Sequence, residues 1–295
     1  MLAGVPEPTK ALKKAASLGV RHAQNSEVRP GKRAILILSF GTTFRSSREK
    51  TIDAIVQSIR EEFPHVRVVS AFSSHIVIRR IREKEGIIYL TPEQALESLR
   101  ADGFGEVAIL STDIIPGIEY SYALQVFEEF REKFHSLTLS TPLMYWQGQE
   151  ERSDDVNMVI EALCPTLCHE EKEAVLLLAH GTPHAANAYY SVMQLKLWQK
   201  GLKQVFLYTV EGWPLLENII PQLKEKKITK VRLVPFMLVA GEHANHDMAG
   251  RTKDSHKSIL ERKGFVVTAD LRGLGEYAAI RQLFCKRARE AWNRC

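Results

Sequence analysis

The chain has 295 residues and a formal net charge of +5, with 45% hydrophobic and 25% charged residues. This composition is typical of a globular protein, and the length suffices for two modest α/β domains. The small positive excess is compatible with a polyanionic small molecule but too small to argue for nucleic acid, so no nucleic-acid partner is predicted. No apolar run approaches the ~18 residues that a transmembrane helix requires.

Residues 1–32 differ from the rest of the chain and are interpreted as an N-terminal extension. They contain Pro6, Pro8 and Pro30 and have no apolar core of signal-peptide length. We expect two helical turns at most in this segment, from Lys10 to Leu18. The predicted location is the cytoplasm, with the periplasm as the alternative if the segment is the remnant of a processed leader.

The chain contains an internal repeat, which starts with two buried strands. Residues 34–43 read AILILSFGTT, and residues 174–183 read AVLLLAHGTP. Runs that are apolar on both faces are typical of buried parallel strands, and the glycine after each run lets the backbone turn sharply. Each run leads into a helix-like stretch, over residues 47–63 in the first half and 185–202 in the second.

The repeat continues with a second pair of matching segments. Residues 107–120 read VAILSTDIIPGIEY, and residues 231–244 read VRLVPFMLVAGEHA. Aligning the glycines of PGIE and AGEH places Glu119 opposite His243. Further strand-like stretches lie at residues 66–72 and 203–212, and further helical stretches at residues 91–101 and 215–226.

Strands that alternate with helices predict parallel sheets covered by helices on both faces. We therefore predict an α/β protein of two Rossmann-like lobes related by internal duplication. The N-terminal lobe is predicted to span residues 33–145 and the C-terminal lobe residues 146–275. The last helix, in residues 276–295, is expected to pack back on the N-terminal lobe. Ligands bind at the carboxyl edge of such sheets, so the expected site is a cleft between the lobes.

Three residues with metal-binding side chains follow the three main strands of the C-terminal lobe. His180 follows the first strand, Glu211 the second and His243 the third. Because right-handed crossovers bring the carboxyl ends of parallel strands to one edge, we expect the three side chains to share a crevice. Two imidazoles and one carboxylate suit Co(II), Ni(II), Fe(II) or Zn(II), and they leave coordination positions open. The pattern predicts a metal site in this lobe.

Two of the four cysteines precede a histidine. Cys164, Cys168 and His169 occur as CPTLCH, one residue longer than the C-x-x-C-H signature of covalent haem attachment. We interpret the cysteines as residues near a loop between the domains. A covalent haem site or a surface metal site is the alternative.

Six stretches carry a resemblance to a known family: SFGTTFRSSREKTIDA, TPEQALESL, IIPGIEY, AHGTPHAANAYY, LVAGEHANHDMAG and GLGEYAAIR. Together they span nearly the whole chain, which resembles the anaerobic cobalt chelatases of the CbiK type, the sirohydrochlorin cobaltochelatases. The resemblance implies a chelatase-like fold and the metal ligands His180, Glu211 and His243. It also implies that His180 accepts a proton and that Glu119 and Tyr120 lie on the opposite wall of the cleft.

The implied chemistry needs proton acceptors as well as metal ligands. Inserting a divalent metal into a free-base tetrapyrrole removes two pyrrole N–H protons. Neutral imidazole binds a metal and accepts a proton near neutral pH, which suits His180. Glu119 is predicted to relay the second proton. The alternative for Glu119 is a strand-end carboxylate bonded to backbone N–H groups.

The implied substrate is a tetrapyrrole with several carboxylates. Strand-end loops present backbone N–H groups inward. Phe40 occupies the position of His180 in the first repeat and either stacks on the macrocycle or plugs the core. The predicted substrate-binding residues are Ser39, Phe40, Gly41, Thr42, Ser73 and Ser74. The arginines considered for contacts to carboxylates are Arg45, Arg48, Arg79, Arg80 and Arg82.

Two positions depart from the family pattern. The chain has Asp113 where the family often has a histidine, and His75 where related proteins often have a glycine. The first departure bears on how the N-terminal lobe meets the substrate or on which metal it favours.

The predicted function is insertion of Co²⁺, as a substrate, into sirohydrochlorin or a close relative, without an organic cofactor. An Fe²⁺ or Ni²⁺ chelatase of the same fold is one alternative, since ligand type does not separate these ions. A non-catalytic haem- or metal-binding protein is another, since solute-binding proteins also use two α/β lobes. The oligomeric state is left open, with a homo-oligomer as one option.

Overall fold

The computed structural model describes residues 19–295 and contains two parallel-stranded sheets flanked by helices. The strands are β1 Arg21–Gln24, β2 Lys32–Ser39, β3 Arg67–Phe72, β4 Phe104–Ser111, β5 Ser136–Leu139, β6 Glu173–Ala179, β7 Val205–Thr209, β8 Lys230–Pro235 and β9 Val266–Ala269. The helices are α1 Arg45–Lys50, α2 Ile52–Glu62, α3 His75–Glu85, α4 Pro92–Ala101, α5 Ile118–Phe130, α6 Asp155–Leu167, α7 Ala188–Gln199, α8 Leu216–Glu225, α9 His256–Arg262 and α10 Ala278–Trp292. Short 3₁₀ turns lie at Ala185–Asn187 and Leu274–Glu276, and a π-helix at His243–Met248. In this described part of the chain, no helix combines the length and apolarity needed to cross a bilayer.

The two sheets have the same strand order. The N-terminal sheet runs β3-β2-β4-β5-β1 and the C-terminal sheet β7-β6-β8-β9. Apart from the edge strand β1, each strand of the first sheet has a counterpart at the same place in the second, and all these neighbours are parallel. The predicted fold class is therefore confirmed, and the shared order is what an internal duplication produces.

The first sheet includes a strand from residues 1–32, the segment interpreted as an N-terminal extension. Strand β1 pairs antiparallel with β5, with Arg21 opposite Leu139 and Gln24 opposite Ser136. The tetrapeptide RHAQ has no apolar run, so the sequence pattern did not predict a strand. The strand pairs with the edge of the sheet that β5 would otherwise leave open. The two helical turns predicted for residues 10–18 lie outside the described residues.

The central strands β2 and β6 divide their side chains between two cores. Ile35 and Ile37 of β2 join Val175 and Leu177 of β6 in one core shared by both lobes. The residues that alternate with them face a separate outer core in each lobe. Because both faces of these strands are buried, the runs are apolar throughout, as predicted.

The predicted first helix, over residues 47–63, is broken at Thr51. Thr51 has φ −119° and ψ −80° and separates α1 from α2. The break lies at a contact with the other lobe, where a Cβ added to Gly275 would be 2.7 Å from the Thr51 Cβ. Close by, the Ser47 hydroxyl donates a hydrogen bond of 3.0 Å to the Ala240 carbonyl. The interruption in the helix thus fits the N-terminal lobe against the C-terminal lobe.

The last helix lies against the N-terminal lobe. Helix α10 packs on β4, β5 and α2, and it also contacts α6. Arg287 of α10 and Asp155 of α6 form a buried ion pair, with Nη2 and Oδ1 2.6 Å apart. This helix and this ion pair join the chain's C-terminal end to α6, near the start of the predicted C-terminal lobe.

Candidate metal centre

Two strand-end turns of the C-terminal lobe position His180 and Glu211. His180 directly follows β6, and Gly181 turns the chain with φ +84°. A Cβ added to Gly181 would lie 2.5 Å from the Gly212 nitrogen, so this close approach requires glycine. The Glu211 amide donates to the His180 carbonyl at 2.8 Å. Backbone pairing therefore continues past the strand ends and holds the two residues side by side.

The hydrogen-bond partners of His180 and His243 indicate which ring nitrogen carries the proton. His243 begins the π-helix, and its Nδ1 lies 2.6 Å from Oδ2 of Asp247. The Nδ1 of His180 lies 3.0 Å from the Gly181 carbonyl oxygen. Carbonyl and carboxylate oxygens accept hydrogen bonds, so each Nδ1 carries the proton and donates it. Each Nε2 then keeps a lone pair for a metal ion, an arrangement common among metal-binding histidines.

His180, Glu211 and His243 come together as a group that could hold a metal ion. One ligand atom of each residue lies within 4.8 Å of the others. The imidazole rings are nearly perpendicular, with centroids 4.9 Å apart. Metal ligands at about 2.1 Å in tetrahedral geometry are roughly 3.4 Å apart, so side-chain movements of about 1 Å would bring the three groups to that spacing. Within residues 19–295, this is the one group of three or more such residues close enough to hold an ion.

A cleft of about 510 Å³ lies between the carboxyl edges of the two sheets. Its size falls within the range of about 300–1,000 Å³ usual for small-molecule sites. His180 and His243 line one wall, and Asp113 and Glu119 line the other. The remaining polar or aromatic lining residues include Phe40, Thr42, Thr43, Phe44, Arg80, Thr112, Thr182, Tyr190, Phe236 and Glu242.

Three of the predicted substrate-binding residues, Phe40, Gly41 and Thr42, line this cleft. The Phe40 side chain is 52% exposed, so it does not plug the core. The other three, Ser39, Ser73 and Ser74, each make a hydrogen bond within the fold. Ser39 is fully buried and accepts a hydrogen bond from Thr112, the Ser73 amide donates to the Ser39 carbonyl, and Ser74 caps α3. The structure does not bring these serines to the cleft lining.

The arginines near the cleft differ in what they can reach. Arg48 is 2% exposed, and its guanidinium donates to both carboxylate oxygens of Glu85, at 3.0 and 2.5 Å. This hydrogen bonding lowers the pKa of Glu85. Arg80 is exposed and lines the cleft. The remaining three arginines considered, Arg45, Arg79 and Arg82, are exposed and are not among the lining residues.

The wall that faces the histidines carries two carboxylates. Asp113 follows β4 and is partly buried, and Ser111 donates a hydrogen bond of 2.6 Å to its Oδ2. Burial raises the pKa of Asp113 to about 7; the Ser111 hydrogen bond opposes this shift, and the nearby charge of Glu119 adds to it. Glu119 is exposed in the first turn of α5. Tyr120 turns away from the cleft, is 3% exposed and donates to the Ser140 carbonyl.

Residues 33–293 match the family model described as "Cobalt chelatase (CbiK)". The chain belongs to the CbiK family. The "Sirohydrochlorin cobaltochelatase" of Salmonella typhimurium is 35% identical over 265 residues, which cover 89% of this chain and 97% of that protein. The "Sirohydrochlorin cobaltochelatase CbiKC" of Nitratidesulfovibrio vulgaris is 34% identical over 253 residues, which cover 83% and 86%. The predicted family resemblance is confirmed.

A solved structure shares the fold of this CbiK-family chain. SirB from Bacillus subtilis, with Fe³⁺, aligns with a TM-score of 0.60 over 88% of this chain and 95% of SirB. Sequence identity is 14%, so this likeness concerns the fold. It agrees with the two-lobed architecture.

Sequence reasoning missed one contact of the metal centre in this CbiK-family chain. Asp247 orients His243 through the 2.6 Å hydrogen bond. The signal was the four-residue spacing of H-x-x-x-D, which puts both side chains on one face of a helix. Asp113 and His75 entered only as departures from the family pattern; His75 is exposed at the start of α3, whereas Asp113 lines the cleft.

The cysteine segment lies apart from this centre. Cys164 and Cys168 are exposed at the end of α6, and the Cys168 thiol donates to the Cys164 carbonyl at 3.4 Å. His169 is exposed and contacts the Glu170 carbonyl through Nδ1. Within the described residues, Cys164, Cys168 and His169 do not form a group of three possible ligands like the one at His180.

Proposed function

We propose that this chain inserts Co²⁺ into sirohydrochlorin and so forms the metal–nitrogen bonds of a cobalt tetrapyrrole. Membership of the CbiK family supports this, as do two relatives named as sirohydrochlorin cobaltochelatases. The structural observation that carries the proposal is the convergence of His180, Glu211 and His243. Both histidines of this group line a cleft whose far wall offers Phe40 and Glu119.

In this proposal the C-terminal lobe presents the metal ion to the macrocycle. Two neutral imidazoles and one carboxylate bind a borderline divalent ion and leave positions open for water or a pyrrole nitrogen. Glu211 supplies one negative charge against the two of the ion. Because Glu211 is exposed, its carboxylate can exchange with water when the ring nitrogens take over the ion. The ligand set therefore suits an ion that is held briefly and then released.

The same histidines suit the removal of a pyrrole proton. When Nε2 of His180 leaves the metal, its lone pair becomes available to a pyrrole N–H on that face of the ring. The N–H bond breaks, the proton moves to the imidazole, and the electron pair stays on the ring nitrogen as a metal ligand. Glu119 on the opposite wall is exposed, so it can exchange the second proton with water. No organic cofactor is needed for these steps.

The N-terminal lobe is proposed to hold the macrocycle. The exposed Phe40 ring offers an apolar surface for stacking on the ring face. Arg80 offers a guanidinium to one of the carboxylates of the substrate. The tetrapyrrole would then lie between Phe40 on one side and the metal ligands on the other.

An insertion assay separates this proposal from the two alternatives. Sirohydrochlorin is incubated anaerobically with the protein and with Co²⁺, Fe²⁺ or Ni²⁺, and the change in its absorption spectrum is followed. We expect many turnovers per protein molecule, with the highest kcat/KM for Co²⁺. A spectral change limited to one equivalent would identify a carrier, and a higher kcat/KM for Fe²⁺ or Ni²⁺ would refute the assignment of cobalt.

The substitution His180→Ala tests the role of the centre. We expect it to abolish insertion and leave the far-ultraviolet circular dichroism unchanged, since His180 is a strand-end residue outside the core. His169→Ala, which removes an exposed histidine at the end of α6, serves as the matched control and should keep full activity. Near wild-type turnover by His180→Ala would show that the proposed mechanism is wrong.

A further inference from the structure

We propose that Asp113 is a catalytic residue of metal insertion, whose carboxylate takes one pyrrole proton from the face of the macrocycle opposite the metal ion. This inference rests on the proposed function. It replaces Glu119 as the first acceptor on the N-terminal wall and makes Glu119 the exit to solvent.

The position of Asp113 in the fold supports this role. The residue is the second after the carboxyl end of β4, the strand that corresponds to β8 in the second lobe. Strand β8 leads to His243. The duplicated scaffold thus directs Asp113 and His243 toward the same cleft from its two sides, and both line it.

The loop around Asp113 is held firmly. Its carbonyl accepts a hydrogen bond from the Leu143 amide, and the Ile114 carbonyl accepts one from the Met144 amide, both at 2.8 Å. The Ser111 hydroxyl donates to Oδ2 of Asp113 at 2.6 Å. Leu143, Met144 and Ser111 are at most 1% exposed. The carboxyl group is therefore fixed by buried partners, as a group that must meet a reacting atom needs to be.

The surroundings make the Asp113 carboxylate a stronger base than an ordinary aspartate. Burial raises its pKa to about 7, with Glu119 of α5 contributing in the same direction. The other charged or titratable groups that line the cleft are Arg80 of α3, Tyr190 of α7, Glu242, and His180 and His243 on the far wall. A general base is most effective when its pKa lies near the operating pH.

The proposed step accounts for the second of the two pyrrole protons that the reaction removes. The pyrrole N–H bond breaks and an O–H bond forms on Asp113, while the electron pair remains on the ring nitrogen and binds the ion. The Asp113 acid then passes the proton to the carboxylate of Glu119, which is exposed and releases it to water. The first proton goes to His180 on the other face.

Asp113→Asn tests the inference, since the amide keeps the shape of the side chain and an acceptor for Ser111 but cannot take the proton. General-base residues contribute about 10²–10⁴-fold to rate. We expect kcat for Co²⁺ insertion at pH 8 to fall about 100-fold or more, with KM within about two-fold. Asp254→Asn, an exposed aspartate in the loop before α9, is the matched control. Co²⁺ absorption bands of the variant should match those of the wild type, because the metal ligands are untouched.

The pH dependence provides a second readout. The ratio of wild-type to Asp113→Asn kcat/KM cancels the titration of the groups that do not interact with Asp113, and kcat/KM reports the pKa values of the free enzyme. With a pKa of about 7, about a tenth of Asp113 is ionised at pH 6 and about nine tenths at pH 8, so the ratio should rise about ten-fold between them. Asp113→Ser has a smaller side chain and must show the same loss. It replaces the asparagine variant in the test if that variant does not fold.

The outcomes are distinct. If either folded variant keeps kcat within about two-fold of the wild type across this pH range, Asp113 is not the acceptor and the inference is overturned. The same result follows if the ratio is large but independent of pH. If the wild type itself does not insert metal into sirohydrochlorin, the proposed function fails and the inference fails with it.

Discussion

Replacing Asp155 by alanine tests how the first residue of α6 is held against α10 and the end of the N-terminal lobe. Asp155 is 1% exposed, and its Oδ1 lies 2.6 Å from Nη2 of Arg287. The Ser153 hydroxyl donates to the same oxygen at 2.6 Å. The amides of Tyr145 and Trp146 donate to Oδ2 at 3.1 and 2.7 Å. One buried carboxylate thus joins α10, α6 and the segment that leads out of the N-terminal lobe.

The substitution leaves Arg287 buried without its main partner. Arg287 is 4% exposed and keeps only Glu290, at 2.9 Å, and the Leu143 carbonyl, at 3.1 Å, from its present contacts. Removing one member of a buried ion pair costs about 3–5 kcal/mol, because the other charge stays desolvated. We expect Asp155→Ala to lower the free energy of unfolding by this amount, a large share of the ~5–15 kcal/mol typical of a folded protein.

The measurement is urea unfolding followed by circular dichroism, at one pH and salt concentration for all variants. Glu128→Ala is the control: Glu128 pairs with Arg131 at 3.1 Å, but both side chains are about half exposed. Such surface pairs contribute about 0–1 kcal/mol. A loss below about 1 kcal/mol for Asp155→Ala would refute the reasoning. The double variant Asp155→Leu with Arg287→Met, which removes both charges, should regain part of the loss.

Three further predictions concern the cleft. Asp247→Asn should weaken Co²⁺ binding about 10- to 100-fold in titration calorimetry, because it removes the carboxylate that orients His243; unchanged affinity would contradict that role. Gly181→Ala should lower the melting temperature more than Gly264→Ala, since both glycines have positive φ but only Gly181 is crowded; equal losses would contradict this. The raised pKa of Asp113, about 7 against ~3.9 in the unfolded chain, means that the native state alone binds this proton between those values. The free energy of unfolding of the wild type should therefore fall relative to Asp113→Asn as pH rises from about 4 to 7, and parallel pH profiles in urea unfolding would refute this.

The fold and the convergence of three metal-binding residue types could be predicted because both depend on local pattern and chain order. A strand such as β2 or β6 is apolar throughout because both its faces are buried, and this can be recognised without knowing its neighbours. Parallel strands joined by right-handed crossovers end at one edge. The places of His180, Glu211 and His243 after successive strands were therefore enough to predict that they meet.

The tertiary structure decided which groups pair and which are buried. Strand β1, Arg21–Gln24, forms only because β5 offers an open edge. Arg48 is withdrawn from the cleft by Glu85, which lies 37 residues further along the chain. Asp113 becomes a base of nearly neutral pKa because the fold buries it beside Glu119. These properties depend on contacts between segments that are distant in sequence, and no local pattern of residue types specifies such contacts. The sequence by itself thus determined that His180, Glu211 and His243 converge, and the packing of the lobes determined which groups face them.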